Sequence, residues 1–155
     1  MKLSTRSRYG TRILVELARH KRGEPVQVSE ISRQQNIPVK YLEQLIRTLK
    51  GAKLITSVRG ARGGHILAKA PDQISLGYLV RLFEGQYELV ECISEPSVCD
   101  MATDCRVRLA WKDATDALYE KLDAITIADL LCDPATFAKK GDGNRMAKTR
   151  KTGCV

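Results

Sequence analysis

The chain predicts a mainly α-helical fold with one small β-hairpin and a long helix towards its end. Two observations predict it. Apolar residues recur at helical spacing over 7–20, 38–50 and 104–124. Between the second and third of these runs, the turn Arg59-Gly60-Ala61-Arg62-Gly63-Gly64 separates two short apolar segments, 54–58 and 65–68. Glycines there accept the backbone angles that a hairpin tip demands.

The first helix carries Ile13, Leu14, Leu17 and Ala18 on one stripe, with Arg8, Arg12 and Arg19 off it. Gly23-Glu24-Pro25 breaks it. A short second helix over 27–36 offers Val28 and Ile31 as core contacts. Asn36-Ile37-Pro38 turns the chain, with proline in the first turn of the next helix. That helix has two faces. Leu42, Leu45, Ile46 and Leu49 face a core; Lys40, Glu43, Gln44 and Arg47 follow the same spacing on the opposite side.

Such a polar stripe is usually only a solvated surface. On the second helix of a helix–turn–helix pair it is where side chains reach base edges. Glutamine pairs with adenine, arginine or lysine with guanine, and glutamate accepts from cytosine. The hairpin that follows reads as a wing, with Arg59 and Arg62 at its tip and glycines that allow close approach to a groove. His65 is read as a structural residue of the wing base. The first part of the chain is therefore expected to be a winged helix–turn–helix that binds double-stranded DNA.

Charge supports this division. Residues 1–65 hold 14 basic and 4 acidic side chains, 66–138 hold 6 and 13, and the last 17 hold 6 and 1. A basic head on an acidic body suits nucleic acid on one face and assembly on the other. Three regions follow: a DNA-binding domain over 1–70, a loop with dimerisation helices over 71–133, and a basic, disordered tail over 134–155.

Ser75 is expected to cap a helix over 76–85, with Leu79, Leu82 and Phe83 inward and Gly85 as its stop. Residues 86–103 show no sustained period. The long helix then carries Val107, Trp111, Ala114, Leu118, Leu122 and Ile125 near heptad spacing. The bland reading is a helix lying on its own core. A chain this short has few elements left to cover the stripe, so a homodimer is expected. Thr126 is expected to cap a last short helix.

The apolar content of 43% is ordinary, and no run reaches the length of a membrane span. The basic N-terminus lacks the apolar stretch of a secretory signal. The expected location is the cytoplasm, where five cysteines point to metal binding, redox chemistry or burial rather than structural disulfides. Three of them, Cys92, Cys99 and Cys105, form C-x6-C-x5-C, without the close pairs of zinc ribbons or ferredoxins. The spacing leaves an iron–sulfur centre, zinc and metal-free redox thiols open. No nucleotide loop, cofactor fingerprint or acid/base constellation is present, so no catalytic residue is named and no enzyme is expected.

The opening MKLSTRSRYGTRILVELA, the helix YLEQLIRTLK, the wing SVRGARGGHIL and the segment CRVRLAWKD…ITIADL closely resemble the Rrf-two family of bacterial winged-helix regulators, of IscR, NsrR and RirA type. The resemblance spans residue 1 to about 133. It implies a homodimeric, cytoplasmic transcription regulator on a pseudo-palindromic operator, expected to act as a repressor. It also implies a 2Fe–2S or 4Fe–4S cluster, with Cys92, Cys99 and Cys105 as three ligands. Tyr41, Glu43 and Gln44 match recognition-helix positions, and Arg59 matches a wing arginine that enters the minor groove. Arg6, Tyr9, Lys40, Arg47 and Arg62 complete the expected DNA-binding set.

The fourth ligand departs from the family. Where IscR-type chains carry a histidine, this one has Arg108, which stays protonated. Where NsrR-type chains carry an acid, it has Arg8. Asp104, Glu91, water or a small thiol remain for that place, with Cys132 and Cys154 as further thiols that no motif supports. Three thiolates around an open iron favour 4Fe–4S over 2Fe–2S. The expected signal is iron or cluster supply, redox state or nitric oxide. The alternative is a regulator sensing through bare thiols or zinc.

Overall fold

The computed structural model describes residues 3–133, 136 and 137. Among these it forms five α-helices and one two-stranded antiparallel hairpin. Helix α1 spans Thr5–Arg19, and it starts earlier than its apolar stripe predicted because Ser4 caps it. The Ser4 hydroxyl accepts the Arg6 amide at 3.1 Å, satisfying a first-turn donor that has no partner inside the helix.

Helix α2 (Val28–Gln35) ends at Asn36, which takes the left-handed conformation and donates its amide back to Ser32. Pro38 stands just before α3 (Val39–Gly51) rather than inside it, and its carbonyl accepts the Tyr41 and Leu42 amides. Strands β1 (Ile55–Val58) and β2 (Gly64–Leu67) pair with Ile55 opposite Leu67 and Val58 opposite Gly64.

The core is the one the stripes predicted. Ile13, Leu14 and Leu17 of α1 meet Ile31, Ile37, Leu42, Leu45, Ile46 and Leu49, closed below by Leu54 and Ile55. Each fully buried leucine or isoleucine contributes about 1.5–3 kcal/mol. Within this apolar mass lies a polar lock the stripes did not announce. Gln35 donates to the buried Glu16 carboxylate at 2.6 Å, and Arg12 donates to Gln35 at 2.9 Å, fastening α1 to the end of α2.

Helix α4 (Leu76–Glu84) begins as expected, with the Ser75 hydroxyl accepting the Tyr78 amide at 3.2 Å. It joins the same core through Leu79, next to Ile74 and Ile127. Leu82 and Phe83 are half-buried against that core. Phe83 lies over Gly10 of α1, where any side chain would strike its ring. The Glu84 carboxylate accepts the Ser4 amide at 3.0 Å, the Ser4 hydroxyl at 2.7 Å and the Ser7 hydroxyl. The Ser4 and Ser7 hydrogen bonds hold Glu84 below the usual carboxylate range.

Helix α5 spans Arg106–Asp123, with Cys105 at its cap. Its far end is fixed to α4 by a two-pronged pair: Arg81 donates to both Asp123 oxygens at 2.7 Å. The same guanidinium lies 4.4 Å from the centre of the Tyr119 ring. The chain then returns along α4, the Ile125 carbonyl accepting the Leu76 amide. Thr126 and Asp129 cap one another reciprocally, as expected, but over a 3-10 turn (Asp129–Leu131) instead of an α-helix.

The predicted apolar stripe of α5 divides. Val107 is 64% and Trp111 46% exposed, and Ala114 is exposed too. Leu118 and Leu122 are half-buried, and Ile125 lies beyond the helix end. The tail expected over 134–155, including Cys154, lies outside the described residues apart from 136 and 137. No described helix is long and apolar enough to cross a membrane.

Candidate nucleic-acid interface and cysteine loop

Helix α3 buries Leu42, Leu45, Ile46 and Leu49, so its other face must turn outward. Lys40, Glu43, Gln44 and Arg47 are all exposed there. Arg47 and Thr48 reach back only to the carbonyls of Glu43 and Gln44, at 3.4 Å each. Among the described residues no carboxylate lies within ion-pair distance of Lys40, Arg47, Arg59 or Arg62. Among the described residues these cations are therefore uncommitted, as a phosphate-facing surface requires.

Tyr9 and Tyr41 differ from their neighbours. Both are half-buried against the core, edge to face with ring centres 6.0 Å apart. The Tyr41 hydroxyl lies 3.1 Å from that of Thr5, and Arg12 stacks 5.5 Å from the Tyr9 ring. The pair joins α1 to α3. Arg6 is exposed beside it, and with Tyr41, Gln44, Thr48 and Phe83 it lines a cavity of about 300 Å³ against α3.

The wing is built on the main chain. Val26 and His65 exchange both backbone hydrogen bonds, at 3.0 and 2.9 Å, so the linker before α2 pairs with the base of β2. Gly64 permits this approach, since a side chain there would meet the Val26 and Gln27 backbone. At the tip Gly60 has φ +119°, a value open to glycine. Arg59 and Arg62 flank it and are exposed. His65 stands at the wing base, as the sequence predicts, its ring nitrogen 3.3 Å from the Ser57 hydroxyl. Burial, followed by the nearby Lys50, lowers its pKa.

The three loop cysteines are free thiols; Cys92 and Cys105 are half-buried and Cys99 is exposed. Among the described residues they do not converge, with each other or with His, Asp or Glu, on a group that could hold a metal. Asp104 and Glu91 are exposed and form no such group. In this conformation the loop closes on itself through Arg108. Its guanidinium donates to the Cys92 carbonyl at 2.7 Å, the Ala102 carbonyl at 3.3 Å and the Ile93 carbonyl at 3.4 Å. The Cys105 sulfur accepts the Arg108 amide at 3.4 Å. In kind, three free thiols on one stretch suit an iron–sulfur centre, although they stand apart here, and the Arg108 guanidinium, which only donates, supplies no fourth ligand.

Two further residues of α5 hold the entrance of the loop. The Tyr119 hydroxyl accepts the Tyr87 amide at 2.9 Å, and Thr115 accepts the Leu89 amide at 3.4 Å. Sequence reasoning missed this set. The signal was available: 108, 115 and 119 form a polar stripe at i, i+7 and i+11, beside the apolar stripe that was read.

Known proteins share this architecture. Residues 3–133 match the family model described as Rrf2, iron-dependent transcriptional regulator. The protein rrf2 of Nitratidesulfovibrio vulgaris is 44% identical over 139 residues, covering 90% of this chain and 93% of its own. The structure of CymR, the global cysteine regulator of B. subtilis, matches with TM-score 0.70 at 39% identity, over 84% of this chain and 96% of that one. IscR of T. potens matches with TM-score 0.66 at 32% identity, over 96% and 94%.

Proposed function

This chain belongs to the Rrf2 family of transcriptional regulators, and from that premise we propose an iron–sulfur-dependent repressor that grips its operator as a homodimer. It is a regulator and not an enzyme. The observation that carries the DNA-binding reading is the exposed, unpaired stripe of α3 set beside a wing tip with two free arginines. Gln44 and Glu43 would read base edges, while Lys40, Arg47, Arg6 and Arg62 would neutralise phosphates. Arg59 would enter the minor groove, where negative potential concentrates over AT-rich steps. Tyr9 and Tyr41 would hold α1 and α3 at the angle that docking needs.

A second copy would cover the open half of the α5 stripe, Val107, Trp111 and Ala114, and present two recognition helices to a two-fold site in the cytoplasm. Cys92, Cys99 and Cys105 would hold the cluster, with a preference for 4Fe–4S because the protein offers three thiolates. When bound, such a centre supplies redox and nitric-oxide reactivity and adds charge at the loop. The chain's own residues pass the loop's state onward. Arg108, Thr115 and Tyr119 tie the loop to α5, Arg81 and Asp123 tie α5 to α4, and Glu84 ties α4 to the start of α1. A change in the loop would then alter the spacing of the heads on DNA. Coupling of about 1–3 kcal/mol would change occupancy ~5- to 150-fold.

The test is anaerobic isolation with iron and sulfide counts, run beside retention of a fragment from the gene's own upstream region. Brown protein with acid-labile sulfide and salt-sensitive retention supports the proposal. Colourless protein with full zinc or bare thiols that still retains DNA would move sensing to the thiols. Monomeric material that ignores the fragment at low ionic strength would end the DNA-binding reading. Within the interface, Gln44→Ala should relax sequence choice and Arg59→Ala should weaken binding to AT-rich flanks. Equal, sequence-independent losses from both would contradict that division of labour.

A further inference from the structure

The cysteine loop runs out from α4 and back into α5, and one side chain spans its two arms. The Arg108 guanidinium bonds the Cys92 and Ile93 carbonyls on the outgoing arm and the Ala102 carbonyl on the returning arm. Ala102 is itself buried. The same residue's amide is donated to the Cys105 sulfur. Arg108 therefore touches both outer cysteine residues, by side chain at one and by main chain at the other. The middle one, Cys99, lies at the outer end of the loop and is exposed, with Val98 and Met101 exposed on either side.

We propose that Arg108 is a positioning residue that gates the loop: it clasps the two arms, shelters Cys92 and Cys105, and leaves Cys99 as the thiol that meets solvent first. Three carbonyls at two places along the chain call for a planar fork of donors. A guanidinium has that shape; an ammonium is a single point. While the clasp is closed, an incoming oxidant, electrophile or metal ion meets the thiols in sequence. Cys99 reacts first, and the outer pair follows only when the carbonyls are released. The inference builds on the reading of this loop as the sensor. Its test uses neither DNA nor a cofactor, so the two stand or fall separately.

The experiment is limiting alkylation of the metal-free, reduced, full-length protein with iodoacetamide, followed cysteine by cysteine by peptide mass spectrometry. In the unaltered chain Cys99 should react about tenfold faster than Cys92 and Cys105. Arg108→Ala should bring the outer two to within about threefold of Cys99 and leave the Cys99 rate unchanged. Arg108→Lys should restore part of the difference. Three equal rates in the unaltered chain would overturn the proposal, as would an undiminished difference of about tenfold in folded Arg108→Ala protein. Should the alanine variant lose helical circular dichroism, the lysine variant decides: a ratio of rates as large as that of the unaltered chain counts against the clasp.

Discussion

The winged head and the α5 arm are built on opposite principles. The head buries its apolar stripes within one chain: Leu14, Ile31, Leu42, Leu49 and Leu54 have almost no exposed surface. The arm leaves Val107 and Trp111 in the open and holds its loop by single side chains bonded to backbone carbonyls and amides. One region is finished by its own packing. The other leaves apolar surface and free thiols open, which is what the proposed second copy and cluster would cover: a stiff reader and a responsive handle.

The sharpest way to break the comparison is a matched pair of substitutions. Leu49→Ala should cost the fold about 2–5 kcal/mol, read by denaturant unfolding, because it opens a cavity in the closed core. Trp111→Asp should leave the head's stability within about 0.5 kcal/mol while abolishing the proposed dimer in analytical ultracentrifugation. A large loss of head stability from Trp111→Asp would mean that the arm is part of the head's core after all.

Next in size is Gly10→Ala. The added methyl meets the Phe83 ring, so the contact between α1 and α4 should weaken by about 1–3 kcal/mol. A melting temperature equal to that of the unaltered chain would show that Phe83 swings aside freely. Smaller still is Arg81→Ala. The pair with Asp123 is well formed but more than a third exposed, so its loss should cost about 1 kcal/mol or less. Hydrogen exchange should quicken at the end of α5 and not in α3.

The smallest effect is a pH dependence. Glu84 is lowered chiefly by its Ser4 and Ser7 hydrogen bonds, and Asp123 by Arg81. A lowered carboxylate gives stability that is present above its unfolded pKa and lost as pH falls through its folded one. Stability should therefore decline on acidification below the usual carboxylate range, and Glu84→Gln should flatten that decline. An acid limb of unchanged slope in the variant would remove Glu84 from the account.

Most of the head was legible because periodic burial leaves a periodic trace. The stripe Leu42, Leu45, Ile46 and Leu49 predicts both the helix and its inner face, and the glycines and arginines of 59–64 predict the hairpin. The ties between elements left no such trace. Arg81 meets Asp123 and Arg108 meets Cys92 only after the chain has folded back, and nothing local marks one arginine as clasped and another as free. The lock of Arg12, Gln35 and Glu16 was hidden for the same reason: a buried polar group is declared by its partner and not by its neighbours in sequence. The apolar seam of α5 was visible as a pattern. The pattern alone did not reveal that its first half is open while Leu118 and Leu122 are half-covered.

The exchange of hydrogen bonds between Val26 and His65 carries one last consequence. Since it runs through amides and carbonyls, this tie between the hairpin and the linker before α2 does not depend on which side chains stand at the tip or on the outer face of α3. Substitutions at the tip and along that outer face would therefore leave the hairpin's main-chain anchor in place. The reach of the hand belongs to its skeleton, and its touch to the side chains it carries.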